Sequence, residues 1–338
     1  MSSATDVATL RERLIAIPDV EVPAQLTGLD EAIAYLGSDA AAASLAEDAY
    51  WPKWDSPWWQ MVLLFELGLA RRIPERAVRA MVAAIEAYPL HIFPLRPEDW
   101  PPGLHPARHS QCHCALGSID QVLAACGVDV DTELPWVGEW YERYQMRDGG
   151  LNCDEKAYLV EGECPSSMVG TVPPFEALLR RGPSAALDRA AGFLVGRQLV
   201  RASDTRHNAE ERESEARWLA PAFPRYYLYD VLRGATALVR WATAGHGTLP
   251  LRAVEPAFSH LATIAADGVV HIGRQVFAGI GTWRGGDDGT WRRDPVARTF
   301  PLLDAVSQVG AASAPLTAEW RATRHALVAL IDAGRVTL

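Results

Sequence analysis

Side chains that bind soft metal ions are concentrated in two short segments of the sequence. Cys112, His113 and Cys114 are consecutive, and Cys153 and Cys164 lie in the next irregular segment. Thiolates and imidazoles suit zinc, and a catalytic zinc needs three protein ligands and an open fourth position. A helix N-terminus also lowers the pKa of a thiol, which favours the ligating thiolate. These four cysteines are therefore predicted metal ligands with zinc as the cofactor, and His113 is a candidate catalytic residue.

Two other interpretations of the cysteines stay open. Their spacing is not that of paired C-x-x-C motifs, so they could be small side chains buried at crowded turns. A nucleophilic or redox cysteine is the third interpretation. Cys126 lies beside Gly127 at a predicted helix end and is expected in the core.

A carboxylate stands in an apolar, tyrosine-rich segment, YYLYDVL, at residues 226–232. Burying Asp230 there is costly without a partner. Asp230 is therefore a candidate general acid, metal ligand or cation stabiliser, and the alternative is a helix cap or an ion pair with Arg225 or Arg233. The neighbouring Tyr227 is a further candidate catalytic residue. Tyr226 and Tyr229 are candidate substrate-binding residues.

An aromatic run precedes the first strongly apolar helix and contains Tyr50, Trp51, Trp54, Trp58 and Trp59. Aromatic faces can line an apolar cavity and stabilise cations. Trp54 and Trp58 are therefore candidate substrate-binding residues. The alternative is ordinary packing between the first helical hairpin and an N-terminal cap.

The elements that must position these residues are helices, because helical periodicity is frequent and strand patterns are scarce. Helical hairpins recur, and their first helices start near residues 57, 111, 169 and 226, a period of about 55 residues. Pro173 and Pro174 are expected to delay the third of these helices. Hairpins repeated at a fixed period bury their faces by stacking. The pattern predicts an all-α chain, as an (α/α) toroid of inner and outer helices or as an open solenoid.

The domain organisation predicted from the sequence is one domain over residues 1–338, with an N-terminal cap over about residues 1–50. Residues 201–216 are highly charged and are expected to form an exposed loop or a frayed helix. Residues 279–298 are expected to form a long loop over one mouth of the ring. Long loops of this kind are often functional.

Composition excludes several classes of partner. The formal net charge of -10 argues against a nucleic-acid binder, which needs a basic face. The sequence contains no apolar run long enough for a transmembrane helix, and its polar N-terminus lacks the pattern of a secretory signal. We therefore expect a cytoplasmic location, reduced cysteines and a small-molecule partner.

Five segments together resemble a known family. They are QCHCALGSIDQVL (111–123), QMRDGGLNC (145–153), SSMVGTVPPFEALL (166–179), FPRYYLYDVLRGATALVRWA (223–242) and LTAEWRATRHALVAL (316–330). Their order and spacing are similar to those of short bacterial members of the squalene-cyclase-like and prenyltransferase-repeat superfamily, the terpenoid cyclases and protein prenyltransferases. The resemblance implies an α/α toroid with a central cavity towards which the N-termini of the inner helices point.

The chain also departs from that family. Leu151 stands where the family's GGWNC turn has tryptophan, and the DxDD acid of hopene-type cyclases is missing. The similar string Asp129-Val130-Asp131 falls in a predicted turn. The prenyltransferase branch holds zinc with Asp, Cys and His ligands, a pattern that this chain does not reproduce.

These observations together predict an enzyme, a zinc-dependent cyclase, lyase, isomerase or transferase acting on a small, largely apolar substrate in the central cavity. The alternatives are a non-catalytic helical-repeat protein that binds a lipid or peptide, and a proton-initiated terpene cyclase with a non-standard acid. If the toroid is correct, Cys112 or Cys114, Cys153, Cys164 and Asp230 should meet at one mouth, because equivalent ends of successive inner helices lie on the same face.

Overall fold

Helices dominate the computed structural model, which describes residues 6–87, 112–286 and 289–338. Gln111, the predicted first residue of the second hairpin, and Asp287 and Asp288 of the predicted loop lie outside the described residues. No described helix is both long enough and apolar enough to cross a membrane. The prediction of a mainly helical chain is confirmed.

The first helices occupy the region predicted to be a cap. They are α1 (Val7–Ile15), α2 (Leu29–Leu36) and α3 (Asp39–Glu47). Asp6 and Ser38 cap α1 and α3, each accepting a hydrogen bond from a backbone N–H of the first turn. Such side-chain caps satisfy amides that have no partner within the helix. Leu10 and Leu14 of α1 are fully buried, so this region is part of the core.

The predicted hairpins follow. The first two are α4 (Pro57–Glu66) with α5 (Glu75–Ala87), and α6 (His113–Cys126) with α7 (Val130–Glu133) and α8 (Trp136–Tyr144). The third is α9 (Met168–Arg181) with α10 (Ala185–Gly196), and the fourth is α12 (Val231–Thr243) with α13 (Leu251–Ile264). The short helix α11 (Glu215–Trp218) lies between the third and fourth hairpins in the sequence. The chain closes with α14 (Pro301–Val306) and α15 (Ala314–Asp332). The charged residues 201–216 contain a short 3-10 helix, Ala209–Ser214, and the start of α11.

Strands are few and short. β1 (Leu249–Pro250) pairs in parallel with β4 (Val336–Thr337). β2 (Thr282–Gly285) and β3 (Trp291–Asp294) form an antiparallel pair. This pair lies within residues 279–298, which the sequence predicted to be an irregular loop, so that prediction is wrong for its strands. Cross-strand hydrogen bonding of Thr282 through Gly285 accounts for the difference.

Successive first helices of the hairpins contact one another in the order α4, α6, α9, α12 and α15. The closest approach is between α6 and α9. A Cβ atom on Gly117 would lie 2.5 Å from the carbonyl carbon of Pro173 and from the nitrogen of Pro174. Glycine is therefore required in α6 where the two backbones touch.

The third helix starts near residue 169 as predicted, but its expected delay at two prolines is wrong, and so is the predicted start of the fourth helix. Ser167 caps α9 by accepting a hydrogen bond from the Gly170 amide, so the helix begins at Met168 and includes Pro173 and Pro174. α12 begins at Val231 instead of near residue 226, because Asp230 caps it and Tyr226 has a positive φ of 56°. Left-handed backbone at a tyrosine is incompatible with a continuing helix.

Candidate functional site

Three of the predicted metal ligands meet at the start of α6. The sulfur atoms of Cys112, Cys114 and Cys153 all lie within 4.8 Å of one another, and those of Cys112 and Cys114 are 2.9 Å apart. Thiolates around one zinc ion, with bonds of about 2.3 Å, are roughly 3.8 Å apart. The trio therefore needs only small side-chain adjustments to surround an ion. Cys114 is buried, whereas Cys112 and Cys153 are partly exposed.

The turn that carries Cys153 is set by two glycines. Gly149 has a φ of 90°, and a Cβ there would lie 2.0 Å from the Arg189 carbonyl oxygen. A Cβ on Gly150 would lie 2.5 Å from Cβ of Ser166. Asn152 then fixes the next residues, because its side chain donates to the Pro165 carbonyl oxygen at 2.5 Å. Close packing on both sides therefore holds the Cys153 backbone in place.

His113 connects the two cysteine-bearing segments instead of ligating an ion. Its Nδ1 accepts a hydrogen bond from the indole of Trp140 at 2.8 Å, and its Nε2 lies 2.9 Å from the Tyr158 hydroxyl. The Tyr158 hydroxyl also bonds to the backbone N–H and carbonyl of Asn152, both at 3.1 Å. Burial lowers the pKa of His113 to about 4, so the ring is neutral at physiological pH. A neutral ring with Nδ1 accepting carries its hydrogen on Nε2 and donates it to Tyr158.

The thiol protons are distributed unequally. Hydrogen bonds from the thiols of Cys114 and then Cys153 lower the pKa of Cys112 well below its usual value. Burial raises the pKa of Cys114, and the hydrogen bond to Cys112 raises that of Cys153. The trio therefore favours one thiolate held by two S–H donors. Binding a metal ion would release the remaining protons.

A lysine lies beside these thiols inside a box of aromatic rings. The Lys53 ammonium is 5.0–5.7 Å from the ring centroids of five aromatic residues: Tyr50, Trp51, Trp54, Trp59 and Tyr227. Its Nζ donates to the Tyr227 hydroxyl at 3.0 Å. Burial lowers the pKa of Lys53, and the negative charges of Cys114 and Cys112 oppose that shift. Within the described ranges no carboxylate forms an ion pair with Lys53, and the anionic groups that act on its ammonium are Cys114 and Cys112.

Tyr227 is the candidate of the tyrosine segment on whose hydroxyl the charges of the thiols act. Its hydroxyl lies 3.2 Å from that of Tyr50. Burial raises the pKa of Tyr227, and the charge of Cys114 raises it further. Tyr227 is therefore a neutral hydroxyl at the edge of the cluster and can donate or accept a hydrogen bond.

The other two members of the predicted convergence lie elsewhere. Cys164 is not part of the sulfur group; it lies against Asp148 in a surface pocket of about 610 Å³, and burial raises its pKa. Asp230 is fully buried and not part of the group either. Its carboxylate accepts from the backbone amides of Arg233 and Ala222, at 2.9 and 3.0 Å, and lies 3.5 Å from Arg225. Asp230 therefore both caps α12 and forms an ion pair with Arg225. The sequence analysis gave these two roles as the alternative to a catalytic or metal-binding one.

The predicted substrate-binding residues are packed in the core. Trp54, Trp58, Tyr226 and Tyr229 are each 1% exposed. Trp54 stacks on Tyr226 with centroids 5.0 Å apart, and Tyr229 donates to the Leu199 carbonyl at 2.6 Å. Among the described residues, the indole nitrogens of Trp54 and Trp58 have no hydrogen-bond partner. Their burial matches the packing alternative, and substrate contact stays a prediction.

Lys53 is the residue of this site that the sequence interpretation missed. A signal was present, since the chain has only two lysines and one of them stands within the aromatic run. Most lysines are exposed to solvent, so a lysine within a run of aromatic residues indicates an ammonium held against aromatic rings.

Comparisons of the chain with protein-family models, with curated proteins and with solved structures found no match.

Proposed function

We propose that this chain is a zinc-dependent enzyme built on an α/α toroid, with Cys112, Cys114 and Cys153 as the zinc ligands. The observation that carries the proposal is the convergence of these three sulfur atoms within 4.8 Å. Three thiolates leave one tetrahedral position for water or substrate, as in catalytic zinc sites. The partial exposure of Cys112 and Cys153 leaves that position accessible.

The charge around the trio supports a divalent ion. Three thiolates and one Zn²⁺ carry a net charge of about -1, and the Lys53 ammonium beside them offsets it. Without an ion, three thiolates in a partly buried cluster would repel one another strongly. Soft sulfur donors favour zinc over magnesium or calcium.

The toroid is supported by the order of helix contacts. α4, α6, α9, α12 and α15 contact one another in sequence, and side chains from all five line a single cavity. Helical hairpins arranged in this way would place the N-termini of the inner helices on one face. The thiol trio at the N-terminus of α6 would then lie at that mouth.

The chemistry at the open position would be that of a lyase, cyclase or transferase. A bound zinc ion would supply Lewis acidity or stabilise an anionic ligand there. Tyr227 and Lys53 supply hydrogen-bond donors next to it, and Lys53 also neutralises negative charge. The aromatic rings around Lys53 give the site an apolar wall, which suits a small, largely apolar substrate.

The first test is metal content. Protein purified without chelators should contain about one zinc per chain by inductively coupled plasma mass spectrometry. Cys153→Ser should weaken zinc binding by more than the ~10–100-fold that loss of an outer hydrogen-bond partner costs, because a hydroxyl replaces a thiolate ligand. Cys126→Ser is the matched control, since the Cys126 thiol donates to the Ala70 carbonyl and is not part of the trio. Equal zinc in both variants would remove Cys153 from the centre.

The second test concerns catalysis. The zinc-loaded protein is incubated with an extract of small apolar metabolites, and the products are followed by mass spectrometry. Conversion by the wild type and by Cys126→Ser, but not by Cys153→Ser, is the expected result. A zinc-loaded protein that converts nothing would instead favour a structural metal clip.

A thiol-redox function is the second candidate, and one distance favours it. The sulfur atoms of Cys112 and Cys114 are 2.9 Å apart, close enough for a disulfide to form with little movement once an oxidant removes two electrons and two protons. Counting free thiols in metal-free protein before and after treatment with oxidised glutathione separates the two functions. Loss of two thiols at mild potentials, with no zinc in the native protein, would favour the redox function.

A further inference from the structure

A polar cavity of about 250 Å³ lies among the five central helices, apart from the thiol centre. Side chains from α4, α6, α9, α12 and α15 line it, and none of the three clustered cysteines does. Exposed Arg240 is part of the lining, so the cavity reaches the surface on that side. Its volume equals that of roughly eight water molecules, at about 30 Å³ each. The cavity can therefore hold a small organic molecule.

Both guanidinium groups buried at this cavity are already committed. Arg233 bonds to Glu176 through Nε and Nη2, and its Nη1 donates to the backbone carbonyls of Tyr226 and Leu228. Arg225 donates two hydrogen bonds to Glu319, at 3.2 and 2.6 Å. Bidentate pairs of this kind are strong and geometrically fixed. Among the described residues, neither guanidinium hydrogen-bonds to a further carboxylate.

Glu66 is a further carboxylate at this cavity. Its side chain lines the cavity and is 9% exposed. It accepts backbone N–H bonds from Tyr226 and Arg225, at 2.5 and 2.8 Å, but the nearest guanidinium nitrogen, Nε of Arg225, is 3.8 Å away. That nitrogen has no hydrogen-bond partner among the described residues. Glu66 is therefore buried without a hydrogen-bonded cation.

The surrounding charges leave a negative excess. The carboxylates around Arg225 and Arg233 outnumber these two guanidiniums: fully buried Asp230 and the partly exposed Glu66, Glu176 and Glu319. Half-buried Arg274 interacts with Asp230, and Arg240 is exposed, so its charge is screened by water. Arg225 is therefore shared by three carboxylates, and Glu66, at 3.8 Å, has the most distant guanidinium of the three. Burial raises the pKa of Glu66 in spite of Arg225, which agrees with this imbalance.

We infer that this cavity is a binding site for a small organic ammonium ion, whose charge contacts Glu66 and whose carbon chain packs on Val62 and Phe65. A buried carboxylate that shares its guanidinium with two other carboxylates is costly, and an ammonium ion supplies further positive charge and hydrogen bonds. Phe65 adds a ring that can face the cation. The apolar contacts offered by Val62 and Phe65 distinguish the site from one for a hydrated inorganic ion. This inference does not depend on zinc at the thiols.

The test uses the full-length protein and isothermal titration calorimetry with n-butylammonium chloride at constant ionic strength. We expect saturable binding in the millimolar range or tighter. n-Butanol has the same chain without the charge and should bind at least about 10-fold more weakly. Glu66→Gln should also lower the affinity for n-butylammonium at least about 10-fold, whereas Glu213→Gln, a change at an exposed glutamate, should leave it unchanged.

A second variant guards against misfolding of Glu66→Gln. Val62→Phe fills the cavity without altering any charge, and it should abolish binding while the helical circular dichroism is retained. The inference is overturned if n-butylammonium does not bind the wild type, if Glu66→Gln binds it equally well, or if potassium ions compete as effectively. Zinc content measured on the same samples keeps the two proposals separate, since either ligand could be lost without the other.

Discussion

Gly117 provides the sharpest test of the contact between α6 and α9. An alanine there would place its Cβ 2.5 Å from the Pro173 carbonyl carbon and 2.8 Å from the Pro173 carbonyl oxygen. Carbon atoms in good contact are about 3.5–4.0 Å apart, so the two helices would have to separate by about 1 Å. The obstructing atoms belong to the backbone, which cannot rotate away as a flexible side chain could.

The net effect of Gly117→Ala is the difference between two terms. Replacing glycine by alanine within a helix stabilises it by about 1 kcal/mol. Overpacking in a well-packed core costs about 1–3 kcal/mol, and a backbone clash belongs at or above the top of that range. We expect a net loss of about 2 kcal/mol, or a fall of roughly 3 °C in Tm for a chain of this size.

The matched control is Gly192→Ala in α10. A Cβ there would meet nothing within 4 Å, so only the helix-propensity gain applies, and the variant should be more stable by about 0.5–1 kcal/mol. Unfolding in urea, followed by circular dichroism, measures both variants. A Gly117→Ala protein as stable as Gly192→Ala would refute the close approach of the two helices.

The same substitution should weaken zinc binding. The segment carrying Cys153 is attached to α9, because the amide of Leu151 donates to the Thr171 hydroxyl at 2.9 Å. Moving α9 away from α6 would draw Cys153 away from Cys112 and Cys114. A destabilised Gly117→Ala protein with unchanged zinc affinity would show that the trio tolerates this shift.

Three further predictions concern the residues around the centre. Tyr158→Phe removes the hydroxyl that joins His113 to Asn152, and it should lower the free energy of unfolding by about 1–3 kcal/mol and weaken zinc binding, measured by urea unfolding and competition with a chelating dye. Asp230→Ala removes the cap of α12 and the partner of Arg225, and it should cost at least about 2 kcal/mol in the same unfolding assay without lowering zinc content; a loss of zinc would return Asp230 to the metal site. Removing the metal with a strong chelator should lower Tm in differential scanning calorimetry, with recovery on adding zinc; an unchanged Tm would contradict a bound ion in the native protein.

The thiol trio was predictable because short-range features set most of its geometry. Cys112 and Cys114 belong to one helix start, and the two glycines that place Cys153 are visible in the sequence as a turn. The tie through His113 and Tyr158 spans 45 residues and was not visible. Cys164 also precedes α9, but its side chain lies against Asp148 in a surface pocket, so its place before that helix did not bring it to the trio.

The ionic network around the cavity was not predictable for a similar reason. Arg233 meets Glu176 across 57 residues, Arg225 meets Glu319 across 94, and its amide meets Glu66 across 159. No local pattern of charge identifies such pairs. The hairpin period predicted which helices are neighbours, but the polar character of the space between them depends on side-chain contacts between distant segments.

The two lysines of the chain differ sharply in their surroundings, and this difference has a use in labelling chemistry. Lys156 is exposed, whereas Lys53 is enclosed by aromatic rings. An amine-reactive reagent should therefore modify Lys156 quickly and mark the protein at one side chain, apart from any α-amino group. Slow modification of Lys53 would then report how often the aromatic box opens beside the thiols. Mass spectrometry of the labelled peptides would measure that opening without a substituted residue or an introduced fluorophore.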